Sequence, residues 1–294
     1  LSQGSVRDLH LDRHGFLWIA TAGGINRYDG NQITELHAKD YRLSEISFND
    51  VLEDSQGRLW LSADHTGLYL YDPVEGNFEL FFTAPREPGH PIETTILTVL
   101  EYDKDHLMFV VNQAIYKLRL PDKHLTKVFD LKDVGQPKGW IRHLLLDKQQ
   151  LFIAAFNGLI HLDLQSGKHQ YLPHLPEYFQ QPTQDQNHTK NLYLNHDSLY
   201  VGTVSGLYQL SLAAIQQYLI DGTRYPVTTV LPERNIWHLQ QYNEQLLAAT
   251  DLGLYQVTTN NLSPELKLSF NHNPSLIDHS MVDFVPDANG GIWL

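Results

Sequence analysis

Three cations stand at matching points of a chain that is acidic overall. Arg7, Arg142 and Lys190 each lie two residues into one copy of a recurring pattern, in a sequence of 294 residues with formal net charge -13. Asn49 and Trp237 hold the same point in two other copies, and Trp140 opens the copy that contains Arg142. His65 and Asp251 fall in short turns after the second apolar run of their copies. A guanidinium forks onto the two oxygens of a carboxylate or sulfate, and an indole offers a broad flat face to a ring. Arg7, Asn49, His65, Trp140, Arg142, Lys190, Trp237 and Asp251 could therefore hold an acidic sugar or related small molecule. The plainer alternative is a solvated rim or ion pairs between neighbouring copies.

Other chemistries find less footing. Acid–base catalysis needs convergent proton donors and acceptors in one pocket. Among these residues Asp251 is the lone carboxylate, and His65 and His188 have no partner in sequence, so no catalytic residue is expected. Of the 16 histidines, none forms His-Glu-x-x-His. The pairs His10/His14 and His169/His174 straddle expected turns without a supporting carboxylate, so neither a metal nor another cofactor is expected. Gly23-Gly24 and Gly290-Gly291 precede no helix and fail as phosphate cradles. There is no cysteine, which excludes disulfides and thiolate chemistry. The negative charge argues against nucleic acid, whose binders carry a basic stripe.

The elements that must position these side chains come from the repeat itself. Copies start near residues 5, 47, 95, 140, 188, 235 and 280. The first runs from Ser5 to Asp12, turns at Gly15, and continues through Phe16–Thr21 and Gly24–Asp29. The second matches it at Ser47–Asp54, Gly57, Arg58–Ser62 and Gly67–Asp72, and the last starts at Ser280 and reaches Trp293. The apolar runs are short, β-branched and aromatic, and are bounded by Asp, Asn and Gly, which reads as strands and turns. In Asp-x-x-Gly the carboxylate caps the backbone two residues on and glycine takes the positive φ. A large side chain recurs in the second strand at Trp18, Trp60, Met108, Phe152, Tyr200, Leu247 and Trp293, and such a column is expected to be core packing. Leu210–Ile220 is the single helix candidate, expected between blades.

Four strands per forty-odd-residue copy stack radially as a propeller. The expected fold is all-β, a seven-bladed β-propeller of four-stranded blades filling residues 1–294 as one domain, its seventh blade incomplete. A blade that stops after two strands leaves an open edge, so the chain is expected to be a fragment of a longer protein. No run approaches the length of a membrane helix, and the first residues carry no export signal. Asn187-His-Thr189 and Asn261-Leu-Ser263 fit the glycosylation acceptor pattern.

The string from Val6 through Leu9, Leu11, Asp12, Gly15, Leu17-Trp18-Ile19-Ala20-Thr21, Gly24-Ile25 and Arg27-Tyr28-Asp29 resembles the two-component-regulator propeller repeat. The copies at Asp54–Asp72 and Asp287–Leu294 resemble it too. The resemblance implies a periplasmic, non-catalytic, ligand-sensing region of a bacterial inner-membrane receptor. It further implies a second propeller, an immunoglobulin-like module, a membrane helix and an output domain, either a histidine kinase often fused to a response regulator or a GGDEF diguanylate cyclase. Glycan fragments are the implied ligands, and a homodimer is the implied signalling state. The alternative is a propeller enzyme, a lyase or glycosidase, since streptogramin lyases carry a similar Asp-x-x-Gly-x-x-Trp repeat.

Overall fold

The computed structural model describes residues 2, 4–36, 46–83, 95–135, 139–156, 158–174, 188–242, 245–258, 263–269, 283–287 and 291–293. They fall into two compact units, Leu1–Lys138 with Val285–Trp293, and Gly139–Phe284 with Leu294.

The first unit holds three four-stranded antiparallel blades. They are β1 (Val6–Leu11), β2 (Leu17–Thr21), β3 (Gly24–Tyr28) and β4 (Ile33–Leu36), then β5 (Phe48–Glu53), β6 (Leu59–Ala63), β7 (Gly67–Asp72) and β8 (Asn77–Thr83), then β9 (Ile96–Asp103), β10 (His106–Val111), β11 (Ala114–Arg119) and β12 (His124–Asp130). The second unit repeats the plan. Its blades are β13 (Ile141–Asp147), β14 (Gln150–Ala155), β15 (Gly158–Asp163) and β16 (His169–Leu172), then β17 (Thr189–Asn195), β18 (Ser198–Thr203), β19 (Gly206–Ser211) and β20 (Thr228–Pro232), then β21 (Ile236–Tyr242), β22 (Gln245–Thr250), β23 (Gly253–Thr258) and β24 (Ser263–Ser269). A two-stranded sheet of β25 (Val285–Pro286) and β26 (Ile292–Trp293) belongs to the first unit.

Second strands are buried along their whole length in the first two blades, because their two faces meet two different cores. In β2, Trp18 and Ala20 pack with Phe48, Leu61, Tyr69 and Phe78 of the second blade. The alternating residues Leu17 and Ile19 pack with Val285 and Trp293. This is the strand period of two expressed as inter-blade packing. The same plan joins Trp60 to Ile96 and Phe109, Phe152 to Leu199 and Val201, and Tyr200 to Ile236 and Leu246. The in-register column is core as expected: Trp18, Trp60, Met108, Phe152, Tyr200 and Leu247 are all buried.

The Asp-x-x-Gly carboxylates do more than form turns. Asp12 Oδ1 accepts the N–H groups of His14 and Phe16, and its Oδ2 accepts Trp18 Nε1–H at 2.8 Å. Asp54 repeats this with Gln56, Arg58 and Trp60 Nε1–H, again at 2.8 Å. The acid and the indole six residues later form one unit, so that the buried indole N–H has an acceptor.

Two expectations are corrected. The described residues form six four-stranded blades, not seven; the last copy contributes only the two-stranded β25–β26 sheet. Fifteen residues from Ser280 to Leu294 are too few for four strands of ordinary length. The helix, α1 (Leu212–Asp221), lies inside a blade, between its third and fourth strands β19 and β20, rather than between blades. Ser211 caps its first turn and Gly222, at φ 75°, ends it, while Ile215 anchors it on Leu210 and Tyr225 in the core.

Candidate functional site

The candidate residues share one backbone device. In five blades the first strand carries a β-bulge near its start, where one extra residue interrupts the ladder to the second strand. The extra residues are Arg7, Asn49, Arg142, Lys190 and Trp237. The third blade shifts register at the same place, between Ile96 and Val99. A bulge re-aims the side chain it carries, so the repeat presents this position differently from its neighbours in the strand. The corresponding residues of the last copy, Ser280 and Val282, lie outside the described residues.

A second device fixes the start of each first strand. The residue just after each second strand donates its N–H to the carbonyl of the copy's opening residue: Ala22 to Ser5, Asp64 to Ser47, Asn112 to Thr95, Phe156 to Trp140, Val204 to His188, and Asp251 to Asn235. This aligns Asp64, not His65, with Asp251. The turn after β6 holds three residues where the others hold two, which displaces His65 to an exposed position with φ 66°. The turn length in sequence was the available signal.

In the first unit the bulge residues bind one another. Arg7 Nη1 donates to Asp64 Oδ2 at 2.8 Å and also to Asn49 Oδ1. Asn49 Nδ2 donates to Asp64 Oδ1 at 2.8 Å and to the Ile96 carbonyl at 2.9 Å. Burial by itself would raise Asp64, but the hydrogen bonds from Asn49 and Arg7, with the Arg7 charge, hold it below the usual carboxylate range. Arg7 is thus neutralised within the fold.

The second unit differs. Lys190 Nζ sits 3.2 Å from the centroid of the Trp237 ring, a cation–π contact. Burial, reinforced by the Arg142 charge and opposed by Asp251, pushes Lys190 down to about 8. Burial, with the charges of Arg142 and Lys190, also lowers His188, whose ring lies 3.5 Å from that of Phe156, centroid to centroid. Asp251 accepts the Asn235 N–H at 3.1 Å. Trp140 is 47% exposed, and Arg142 is exposed on β13. The structure therefore brings Arg7 together with Asn49 and Lys190 together with Trp237, with Arg142 and Asp251 within electrostatic reach of Lys190.

One column was missed in sequence. The residue after each bulge is polar in five blades, and in three of them its side chain accepts a backbone N–H of the adjoining first strand. Asp8 Oδ2 accepts the Val51 N–H and Asp50 Oδ2 the Val99 N–H, both at 2.8 Å. His143 Nδ1 accepts the Leu192 N–H at 3.3 Å, which places its own proton on Nε2. Burial, with the like charge of His238, pushes His143 down to about 4. His238 Nδ1 lies 3.0 Å from Asp283 Oδ1. Polar residues recurring inside apolar strands were the signal; their partners lie more than forty residues away.

No protein-family model matches the chain, and no curated protein matches it. Solved structures do. The extracellular domain of BT3049 from B. thetaiotaomicron, assigned as a hybrid two-component system, is 20% identical with a TM-score of 0.74, covering 100% of this chain and 39% of its own. That of BT4673, from the same organism and similarly assigned, is 18% identical at a TM-score of 0.74, covering 100% and 37%. Virginiamycin B lyase from Staphylococcus aureus is 12% identical at a TM-score of 0.62, covering 90% and 85%. These likenesses establish the class, an all-β propeller of four-stranded blades. The chain spans less than two fifths of the length of the two extracellular domains it resembles.

Proposed function

We propose that this chain is the ligand-sensing, non-catalytic propeller domain of a bacterial transmembrane receptor, exposed to the periplasm. The observation that carries this reading is the fold likeness, over the whole chain, to extracellular domains assigned to hybrid two-component systems. The repeat motif at Val6–Asp29 supports it independently. In this reading a second propeller and an immunoglobulin-like module follow, then a membrane helix and a histidine kinase or diguanylate-cyclase output. A glycan or related small molecule held by the bulge residues favours one arrangement of the receptor, as a dimer, over another. Such a ligand shifts the balance only by its difference in affinity for the two states.

Reading the coding sequence downstream is the test. A second run of these repeats, one membrane span and a kinase or GGDEF domain supports the proposal. A stop codon soon after the last repeat overturns it and favours the second reading, a propeller lyase or glycosidase, which draws on the likeness to the S. aureus lyase.

A further inference from the structure

We infer that the bulge residues of the second unit form a site for an oxyanion borne on a ring, a carboxylate or sulfate held by Arg142 and Lys190 beside the exposed indole of Trp140. The inference rests on the sensor reading above and narrows the class of its ligand.

The two units treat the same bulge position in opposite ways. In the first, Arg7 is answered by a carboxylate at 2.8 Å and by Asn49. In the second, Arg142 and Lys190 occupy equivalent bulges on adjoining first strands, β13 and β17. Neither has an ion-pair partner among the described residues. Asp251 is close enough to raise Lys190 and accepts the Asn235 N–H through Oδ1, so one carboxylate faces two cations. Lys190 is half-buried and held against the Trp237 ring, so it is not a freely solvated rim lysine. Its lowered proton affinity and that of His188 record burial first and, added to it, the charges of the neighbouring cations.

Placing like charges together under partial burial is unfavourable unless an opposite charge joins them. In a chain of net charge -13, a local excess of cations over the one nearby carboxylate, Asp251, is the feature an anionic ligand relieves. The planar Arg142 fork matches two oxygens of a carboxylate or sulfate, and Lys190 adds a point charge. Trp237 Nε1 is buried with no hydrogen-bond acceptor among the described residues, a further donor nearby. Trp140, 47% exposed and two residues before Arg142, supplies an apolar face for the ring that carries the anion.

The test titrates the full chain with galacturonate, galactose, benzoate and inorganic sulfate, by calorimetry and tryptophan fluorescence. Galacturonate should bind and galactose should not. Arg142→Ala and Lys190→Met should each weaken galacturonate roughly tenfold or more, while Lys168→Met, at an exposed lysine in the turn between β15 and β16, leaves it unchanged. Affinity should fall from pH ~7 to ~9 as Lys190 loses its proton, and Lys190→Arg should abolish that fall because arginine stays charged. Benzoate binding as tightly as galacturonate also supports the site and moves its ligand outside the sugars. Equal binding of galactose and galacturonate, sulfate binding without any ring-borne anion, no binding of any anion, or unchanged affinity in Arg142→Ala would each overturn the inference. These results are independent of what the downstream coding sequence encodes, so the site and the receptor reading fail separately.

Discussion

Replacing Asp54 by asparagine probes whether the repeated Asp and Trp act as one unit. Asp54 Oδ1 accepts the Gln56 and Arg58 N–H groups at 3.0 and 2.9 Å, and Oδ2 accepts Trp60 Nε1–H and Arg58 Nε–H at 2.8 and 2.6 Å. Both oxygens face donors only. An amide keeps one oxygen and turns an NH2 group toward the other pair, whichever way it flips. With the backbone bonds kept, Trp60 Nε1–H, in a side chain 1% exposed, loses its acceptor without reaching water. Leaving a buried donor unsatisfied costs about 1–3 kcal/mol. Arg58 is partly exposed, and losing its charged partner adds about 1 kcal/mol. Asp54→Asn should therefore destabilise the fold by about 2–4 kcal/mol, measured by urea denaturation with far-UV circular dichroism. In a Trp60→Phe background the donor is gone, and the asparagine penalty should shrink by about 1–2 kcal/mol. A penalty below about 0.5 kcal/mol, within the range of ordinary surface changes, or one unchanged in the Trp60→Phe background, would refute the reasoning.

Acid should destabilise the fold in a defined window. His174, buried, and His143 are both pushed from 6.5 down to about 4, so the folded state prefers them neutral. Their contribution is complete above pH 6.5 and is lost as pH falls toward 4, with His174 alone accounting for roughly 3 kcal/mol; a flat profile of Tm against pH across that window would contradict it. Arg7→Met should strand the Asp64 carboxylate, raise its pKa and cost about 1–3 kcal/mol, read by NMR titration of Asp64 and by denaturation. A Cβ added at Gly202 would lie 2.7 Å from Ile236 Cγ2, so Gly202→Ala should cost about 1–3 kcal/mol through overpacking between blades. Adding Ile236→Ala should recover part of that loss in thermal denaturation; undiminished stability in the single variant would show that the strands shift freely.

The strands and their order were legible in the sequence because a strand buried on both faces reads as a short continuous apolar run between turn residues. Phe16–Thr21 is such a run, bounded by Gly15 and Gly23-Gly24. Its recurrence in register placed Trp18 and Trp60 in the core. It could not say that Asp12 and Asp54 also accept the indole N–H, since the turn alone accounts for those carboxylates. The count of seven included a last copy already read as incomplete; among the described residues it forms a two-stranded sheet beside six four-stranded blades.

The candidate site was legible as a set of positions and no further. Arg7, Asn49, Arg142, Lys190 and Trp237 were found by counting two residues into each copy, which landed on the bulge before any bulge was visible. Local sequence also determined the turns that orient these strands, apart from the extra residue that exchanged Asp64 for His65. Only the tertiary structure decided which cations remain unanswered. Arg7 and Asp64 are 57 residues apart, and whether their blades adjoin is settled by inter-blade packing. Arg142 and Lys190 look like Arg7 in sequence, yet they stand on adjoining strands within each other's field, and Lys190 packs on an aromatic ring where Arg7 meets a carboxylate. Side-chain identity sets the charge at each bulge; the through-space neighbour, often a repeat away, sets whether that charge is already neutralised.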